Sequence, residues 1–372
     1  MPAIWDLTDF FKLSAALNYQ LGALGVGNRN ILNIILDKKK LKDDEEETFL
    51  AVLQYLGRAY GDTRRRLGPL AVLHPLRATA ILARTHHDLN LLDLLTELLH
   101  DKLEDIRPDC YPASEYGPNY WQQLENDFNR LLKRVDPTDT WYLMERLDLL
   151  TRRAELETYY AYIGRLMERA RATPQLVRVK LADRLDNTLD LRINLVDPLE
   201  DVDFFADIFQ ALFVKNYVPR RPEFPHPEAT PLNGAQRLYQ LFKNAVVLSL
   251  IRQKQAIVDD STATTLFRAI SEASIKEAQR IVFHVFLYHY PEAEKQRELL
   301  AETMRYAQVG GLARVTLPGP KHRLDGLFKE RFDHASSAQR KQHLEDLYAD
   351  KPMMVQAALA FIIIFQSFLN DP

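Results

Sequence analysis

Apolar residues recur at helical spacing along most of this chain, and alternation with period two is nearly absent. Leu91, Leu92, Leu95, Leu98 and Leu99 share one helix face. So do Leu238, Leu241, Phe242, Val246 and Leu250, and again Ile275, Ala278, Val282 and Val285. Such spacing scatters apolar groups over both sides of a strand but collects them on one side of a helix, so the chain is expected to be all-α. The one weak strand candidate is 313–317, followed by Pro318-Gly-Pro320. No fixed-period repeat is visible, which argues against a solenoid. At 372 residues and 47% hydrophobic, the chain has apolar material for a sizeable core and a length that suggests two domains.

Proline supplies the clearest internal break. Pro219, Pro222, Pro225, Pro227 and Pro231 crowd one stretch that closes on Asn233-Gly234. Proline ends helices and holds the residue before it extended, so 217–234 reads as a linker. The expected organisation is an N-terminal helical segment 1–49, a domain 50–216, the linker, and a C-terminal helical domain 235–372. A second irregular stretch, Arg107 to Pro118, separates helices and is a candidate lid. The acids Asp43 to Glu47 suit a helix N-terminus, where the dipole favours negative charge.

Net charge is −3, which weighs against a nucleic-acid polymer as partner. Cys110 is the single cysteine, so no intrachain disulfide forms and a reducing cytoplasm is expected. The start of the chain lacks a basic segment followed by an apolar run, so no signal peptide is expected. Ala357 to Phe365, the most apolar run, is shorter than the ~20 residues of a spanning helix and reads as core, with no membrane partner. The aromatic-rich C-terminal helices, with Phe283, Phe286, Tyr288 and Tyr290, are candidates for self-association into a homo-oligomer.

The chemistry concentrates at Leu98-Leu-His-Asp-Lys-Leu-Glu-Asp105. On a helix Glu104 lies one turn after His100, and Asp105 one turn after Asp101. Three carboxylates beside a histidine repel one another unless a cation sits between them, and a divalent metal is the economical one. Two further segments supply ligands of the same kind. His74 opens a helix at Leu73-His-Pro-Leu76, and Asp183 follows apolar Leu181 and Ala182 in Val179-Lys-Leu-Ala-Asp-Arg-Leu-Asp-Asn187. Two imidazoles and two carboxylates suit Mn²⁺, Fe²⁺ or Zn²⁺. His86-His87 lacks a carboxylate motif and reads as a helix end, and nothing near Cys110 argues for a reactive thiol. No Gly-rich phosphate loop, CxxC or GxSxG motif occurs.

His74…His100-Asp101…Asp183 resembles the H…HD…D signature of the HD superfamily of metal-dependent phosphohydrolases. The surrounding residues resemble its SpoT-type branch, which removes the 3′ pyrophosphate from guanosine tetra- and pentaphosphate alarmones. The resemblance covers roughly residues 50 to 200 and implies an HD-domain helical bundle with a C-terminal helical extension or second helical domain. It further implies that His74, His100, Asp101 and Asp183 ligate Mn²⁺ and that Glu104 and Asp105 serve the attacking water. Arg65 and Arg66, in Arg64-Arg-Arg-Leu-Gly68, match the branch's two basic nucleotide-binding positions, and Asn187 matches a position near the ribose. Guanidinium groups suit phosphate because they bind it bidentately and keep their charge.

The chain departs from the branch around the nucleotide. Tyr60 and Thr63 stand where a histidine and a glutamine are usual, Ala71 where a tyrosine is, and Asp186 precedes Asn187 where a histidine is usual. Nothing after residue 200 resembles the synthetase domain of the large bifunctional enzymes. The leading expectation is hydrolysis of a guanosine 3′-pyrophosphate. The alternatives are an HD phosphohydrolase of another nucleotide or phosphorylated metabolite, and a nucleotide-binding sensor.

Overall fold

The computed structural model describes residues 7–22, 27–65, 69–85, 90–135, 141–153, 155–191, 210, 212, 214, 234–290, 292–309, 314–315, 322–334 and 336–370. The protein is all-α, and no strand occurs among the described residues. Of the strand candidate 313–317, Arg314 and Val315 are described and neither is extended in a sheet. The linker 217–234 lies outside the described residues except for Gly234, which begins a helix.

The chain forms two compact units that alternate along the sequence. The first takes residues 1–152, 165–189 and 255–266; the second takes 153–164, 190–254 and 267–372.

The first unit contains α1 (Leu7–Gly22), α2 (Asn28–Leu36), α3 (Asp43–Tyr60), α4 (Leu73–Thr85), α5 (Leu91–Leu99), the short α6 (Lys102–Asp105) and α7 (Ala113–Tyr116), α8 (Tyr120–Val135) and α9 (Trp141–Leu150). It also holds the end of α10 (Tyr159–Ala170) and most of α11 (Gln175–Asp190). Helix α4 packs against α1, α2 and α5, and every residue from Leu73 to Ala83 is buried. A helix enclosed on all sides must pair its polar groups internally, and this one carries His74 and Arg77.

Local chemistry sets the ends of these helices. Helix α3 starts at the acid run, where the Glu45 carboxylate accepts from the Lys42 backbone N–H at 3.0 Å. It stops at Gly61, whose φ of +49° is left-handed backbone. Helix α5 is capped by Asn90, whose side chain accepts from the Asp93 N–H at 2.9 Å. Its last turn ends at His100, and Asp101 (φ −89°, ψ 3°) breaks the helix before α6 begins. That break sets His100 and Asp101 at the junction of two helices.

The second unit contains α12 (Gly234–Lys254), α13 (Ser261–Tyr288) from residue 267 on, α14 (Ala293–Gln308), α15 (Leu327–Arg331), α16 (Ser337–Ala349) and α17 (Lys351–Asn370). Helix α17 packs on α12, α14 and α16. Its ring of Phe361 stacks on Phe328 at 4.3 Å, beside Phe242 and Phe332. Among the described residues α17 is the one helix whose length and composition would suit a membrane span, and 67% of its apolar window is buried inside the fold.

Candidate metal centre

Four side chains from three places in the sequence meet in the first unit. His74 comes from the first turn of α4, His100 and Asp101 from the α5–α6 junction, and Asp183 from the middle of α11. His74 Nε2 lies 3.2 Å from His100 Nε2, 3.3 Å from an Asp101 oxygen and 3.4 Å from Asp183 Oδ1. His100 Nε2 lies 3.2 Å from the other Asp101 oxygen and 3.8 Å from Asp183 Oδ1. Both histidines and Asp183 are buried, and Asp101 is partly open.

The far sides of the two rings fix what their Nε2 atoms can do. His74 Nδ1 lies 2.6 Å from an Asp186 carboxylate oxygen, and His100 Nδ1 lies 2.6 Å from the Glu97 carbonyl oxygen. Both partners are acceptors, so each Nδ1 carries the proton and donates it. In neutral rings both Nε2 atoms are then lone pairs, aimed at each other and at two carboxylates. That arrangement is repulsive without a cation at its centre. Ligands about 2.0–2.2 Å from an ion stand about 2.8–3.6 Å apart in tetrahedral or octahedral geometry. The spacing of His74, His100 and Asp101 falls in that range and fits a divalent metal, while Asp183 lies within it from His74 at 3.4 Å and just beyond it from His100 at 3.8 Å.

Protons are the other cations that can fill such a site. Burial opposes charge on His100, but Asp101, with help from Asp183 and Glu97, pushes its pKa up to about 9. For His74, burial and Arg65 work downward, yet Asp186, Asp101 and Asp183 overcome them and hold it well above its ordinary value. Burial disfavours charge on Asp101, but His100 and His74 hold its pKa well below the usual range. The same burial acts on Asp183, where Lys180, His74 and His100 keep it ionised. The Lys180 ammonium lies 2.7 Å from Asp183 Oδ2, leaving Oδ1 turned to the histidines.

Around this centre the structure gathers most of the remaining expected residues. Asp105 accepts from the Tyr60 hydroxyl at 3.2 Å, and Glu104 accepts from the Arg152 backbone N–H at 2.6 Å. Both acids reach solvent. Partial burial, and then the Asp101 charge, raises both above the ordinary carboxyl range. Arg65 sits in a loop pinned by Arg65 N–H to Pro69 O at 2.8 Å and Ala71 N–H to Thr63 O at 2.7 Å. Its guanidinium donates to Asn187 Oδ1 at 3.0 Å, and Asn187 Nδ2 donates to Asp183. Arg66 and the pair His86-His87 lie outside the described residues.

Other residues near the motif have roles that its spacing does not reveal. Lys102, between Asp101 and Glu104 in sequence, turns away: it pairs with Glu125 at 2.7 Å and lies over the Phe128 ring at 4.3 Å. Asp186 is fully buried and joins His74 to Arg77, itself fully buried over the Phe10 ring. Glu97 is also fully buried. Neither of its carboxyl oxygens has a hydrogen-bond partner among the described residues, and burial pushes its pKa up to about 8. The candidate lid, Arg107 to Pro118, packs Tyr111 against Trp121, and the Tyr111 hydroxyl donates to the Ala59 carbonyl at 2.7 Å.

No protein-family model matches this chain, and searches of curated proteins and of solved structures find no match either.

Proposed function

We propose that this protein is a metal-dependent phosphohydrolase of the HD type, acting on a guanosine 3′-pyrophosphate or a closely related nucleotide and releasing pyrophosphate. The observation that carries the reading is the pair of imidazoles whose Nδ1 protons are committed outward, leaving both Nε2 atoms on the Asp101 and Asp183 carboxylates. His74, His100, Asp101 and Asp183 would hold the ion, most suitably Mn²⁺. A divalent ion there supplies Lewis acidity and lowers the pKa of water at the site.

The chain's own residues do the rest. Glu104 and Asp105, raised above ordinary carboxyls, are suited to take a proton from the attacking water near neutral pH. The Arg152 N–H and the Tyr60 hydroxyl aim them. Arg65 presents a guanidinium to phosphate oxygens and offsets charge as the phosphorus–oxygen bond breaks. Asn187, bonded to both Arg65 and Asp183, ties the phosphate-binding loop to the metal ligands.

Two observations favour a second reading, an HD hydrolase of a different nucleotide or phosphorylated metabolite. Tyr60 and Asp186 depart from the alarmone-branch pattern, and both bond directly to residues of the centre. A hydrolase screen with Mn²⁺ over guanosine tetraphosphate, nucleoside phosphates and cyclic nucleotides separates the cases. Pyrophosphate release from guanosine tetraphosphate supports the first reading. Turnover of another compound alone selects the second, and binding without turnover selects a nucleotide sensor.

A further inference from the structure

We infer that Asp186, held by Arg77, is a positioning residue that fixes the tautomer of His74 and strengthens it as a metal ligand. The inference rests on the metal-centre reading above.

Three contacts carry it. Asp186 Oδ2 lies 2.6 Å from His74 Nδ1, while Arg77 reaches both carboxylate oxygens, Nε to Oδ1 at 2.7 Å and Nη2 to Oδ2 at 3.1 Å. The Asp186 and Arg77 side chains are both fully buried, so water takes no part in holding this geometry. A carboxylate that accepts the Nδ1 proton leaves the opposite nitrogen as the ligand atom and makes it more basic, because negative charge behind the ring supports positive charge in front of it. A neutral acceptor would fix the same tautomer with less basicity.

The partnership also explains why a fully buried carboxylate is tolerated. Burial alone would neutralise Asp186, but Arg77 and then His74 hold its pKa down to about 2. The arginine is in turn bounded by the Phe10 ring at 5.0 Å. His100 is served differently: its Nδ1 meets the Glu97 backbone carbonyl, a neutral acceptor. The two histidine ligands are therefore unequal, and His74 is the stronger donor.

The test is a Mn²⁺ titration of the full chain, followed by the free-ion paramagnetic resonance signal, together with nitrogen NMR of the histidine rings in the metal-free chain. Asp186→Asn keeps size and an acceptor but strands the buried Arg77, so it is paired with the double variant Arg77→Met/Asp186→Asn, which removes both charges. With folding checked by thermal melting, the double variant should bind Mn²⁺ about 10- to 100-fold more weakly than wild type, the usual cost of losing such an outer partner. His74 should keep its Nδ1 proton while that proton's low-field shift moves toward the His100 value. Wild-type affinity in a folded double variant, or a wild-type His74 Nδ1 proton no further downfield than that of His100, overturns the inference. These readouts need no substrate: a wild type that binds Mn²⁺ but hydrolyses nothing removes the hydrolase reading alone, and one that binds no divalent ion removes both.

Discussion

His74 Nε2 and His100 Nε2 face each other across 3.2 Å although their rings come from different helices and each ring donates its only neutral-state proton to the opposite side. Two lone pairs at that distance repel, so the pair is stable only around a cation. Either protons or a metal ion can fill that role, and the surrounding carboxylates accept both. Competition between them is the basis of the first two predictions.

Purified protein should carry about one divalent ion per chain, and Asp101→Ala and Asp183→Ala should each lose most of it. Each removes an anionic ligand from a set of four, and the remaining buried imidazoles then take up protons instead. Elemental analysis of the two variants checks this. Full metal content in both would dismiss the centre.

Metal uptake should release protons and strengthen as pH rises. In the ion-free chain Asp101 pushes the His100 pKa up to about 9 and Asp186, Asp101 and Asp183 raise that of His74, so at pH 7 the facing Nε2 atoms hold a proton between them. A bound ion displaces that proton, so affinity climbs with pH until it passes the raised values and flattens beyond them. Between pH 6 and 8 uptake should release at least one proton per ion. Mn²⁺ calorimetry in buffers of different ionisation heat measures that number, and a pH-independent affinity would contradict the protonated, ion-free state.

Lys102→Ala should lower thermal stability without changing metal content. The lysine is buried against Phe128 and paired with Glu125, and its loss leaves a carboxylate and a void beside the ring. A cost of about 1–3 kcal/mol follows from the lost cation–π contact and partner. Paired melting curves and metal analysis check it. Loss of metal with an unchanged melting point would mean that the lysine serves the site instead.

Much of the centre was readable from residue types and spacing. His74, His100, Asp101 and Asp183 stood out because ligand-type side chains interrupted apolar helical runs, and the structure brings all four together. Helical spacing at 91–99 matched a helix over the same residues. The pairing of Asp186 with His74 and Arg77 was not readable, since it depends on how α4 and α11 pack and not on local pattern. Glu97 draws no notice on a leucine helix, because burial of a carboxyl with no hydrogen-bond partner has no sequence signature. Lys102 misleads for the same reason: position within a motif does not say which way a side chain turns. The alternation of the two units along the chain is a tertiary property as well, decided by contacts far apart in sequence.

Arg65→Ala should weaken nucleotide affinity while leaving the ion bound. A charge-assisted contact to phosphate is worth roughly 1.5–3 kcal/mol, a loss of about 10- to 150-fold. Arg65 donates to Asn187 and is not one of the four proposed ligands, so the metal should be retained. Calorimetry with guanosine tetraphosphate under non-hydrolysing conditions separates the two effects. Unchanged affinity would make the loop 63–71 a structural turn only.

Glu104→Gln tests the chemistry itself. The amide keeps the size of the side chain, and its oxygen still accepts from the Arg152 N–H, so the geometry at 2.6 Å should survive. Only the basicity is lost. If Glu104 takes the proton from the attacking water, the ion stays bound and KM changes little, while kcat falls by ~10²–10⁴-fold, the usual range for removing a positioned acid or base. The pH profile carries a second signature. Burial and the Asp101 charge raise the Glu104 pKa, so the wild-type rate should decline as pH drops through that raised value and the base becomes protonated. That acid limb should shrink in the variant to what Asp105 and metal uptake contribute. Asp105→Asn distinguishes a shared role from an orienting one: a loss equal to that of Glu104→Gln means that the two acids act as a unit, and a mild loss means that Asp105 orients the water or its neighbour. Metal loss in Glu104→Gln would make Glu104 a ligand, and a near-normal kcat on the true substrate would place the base elsewhere.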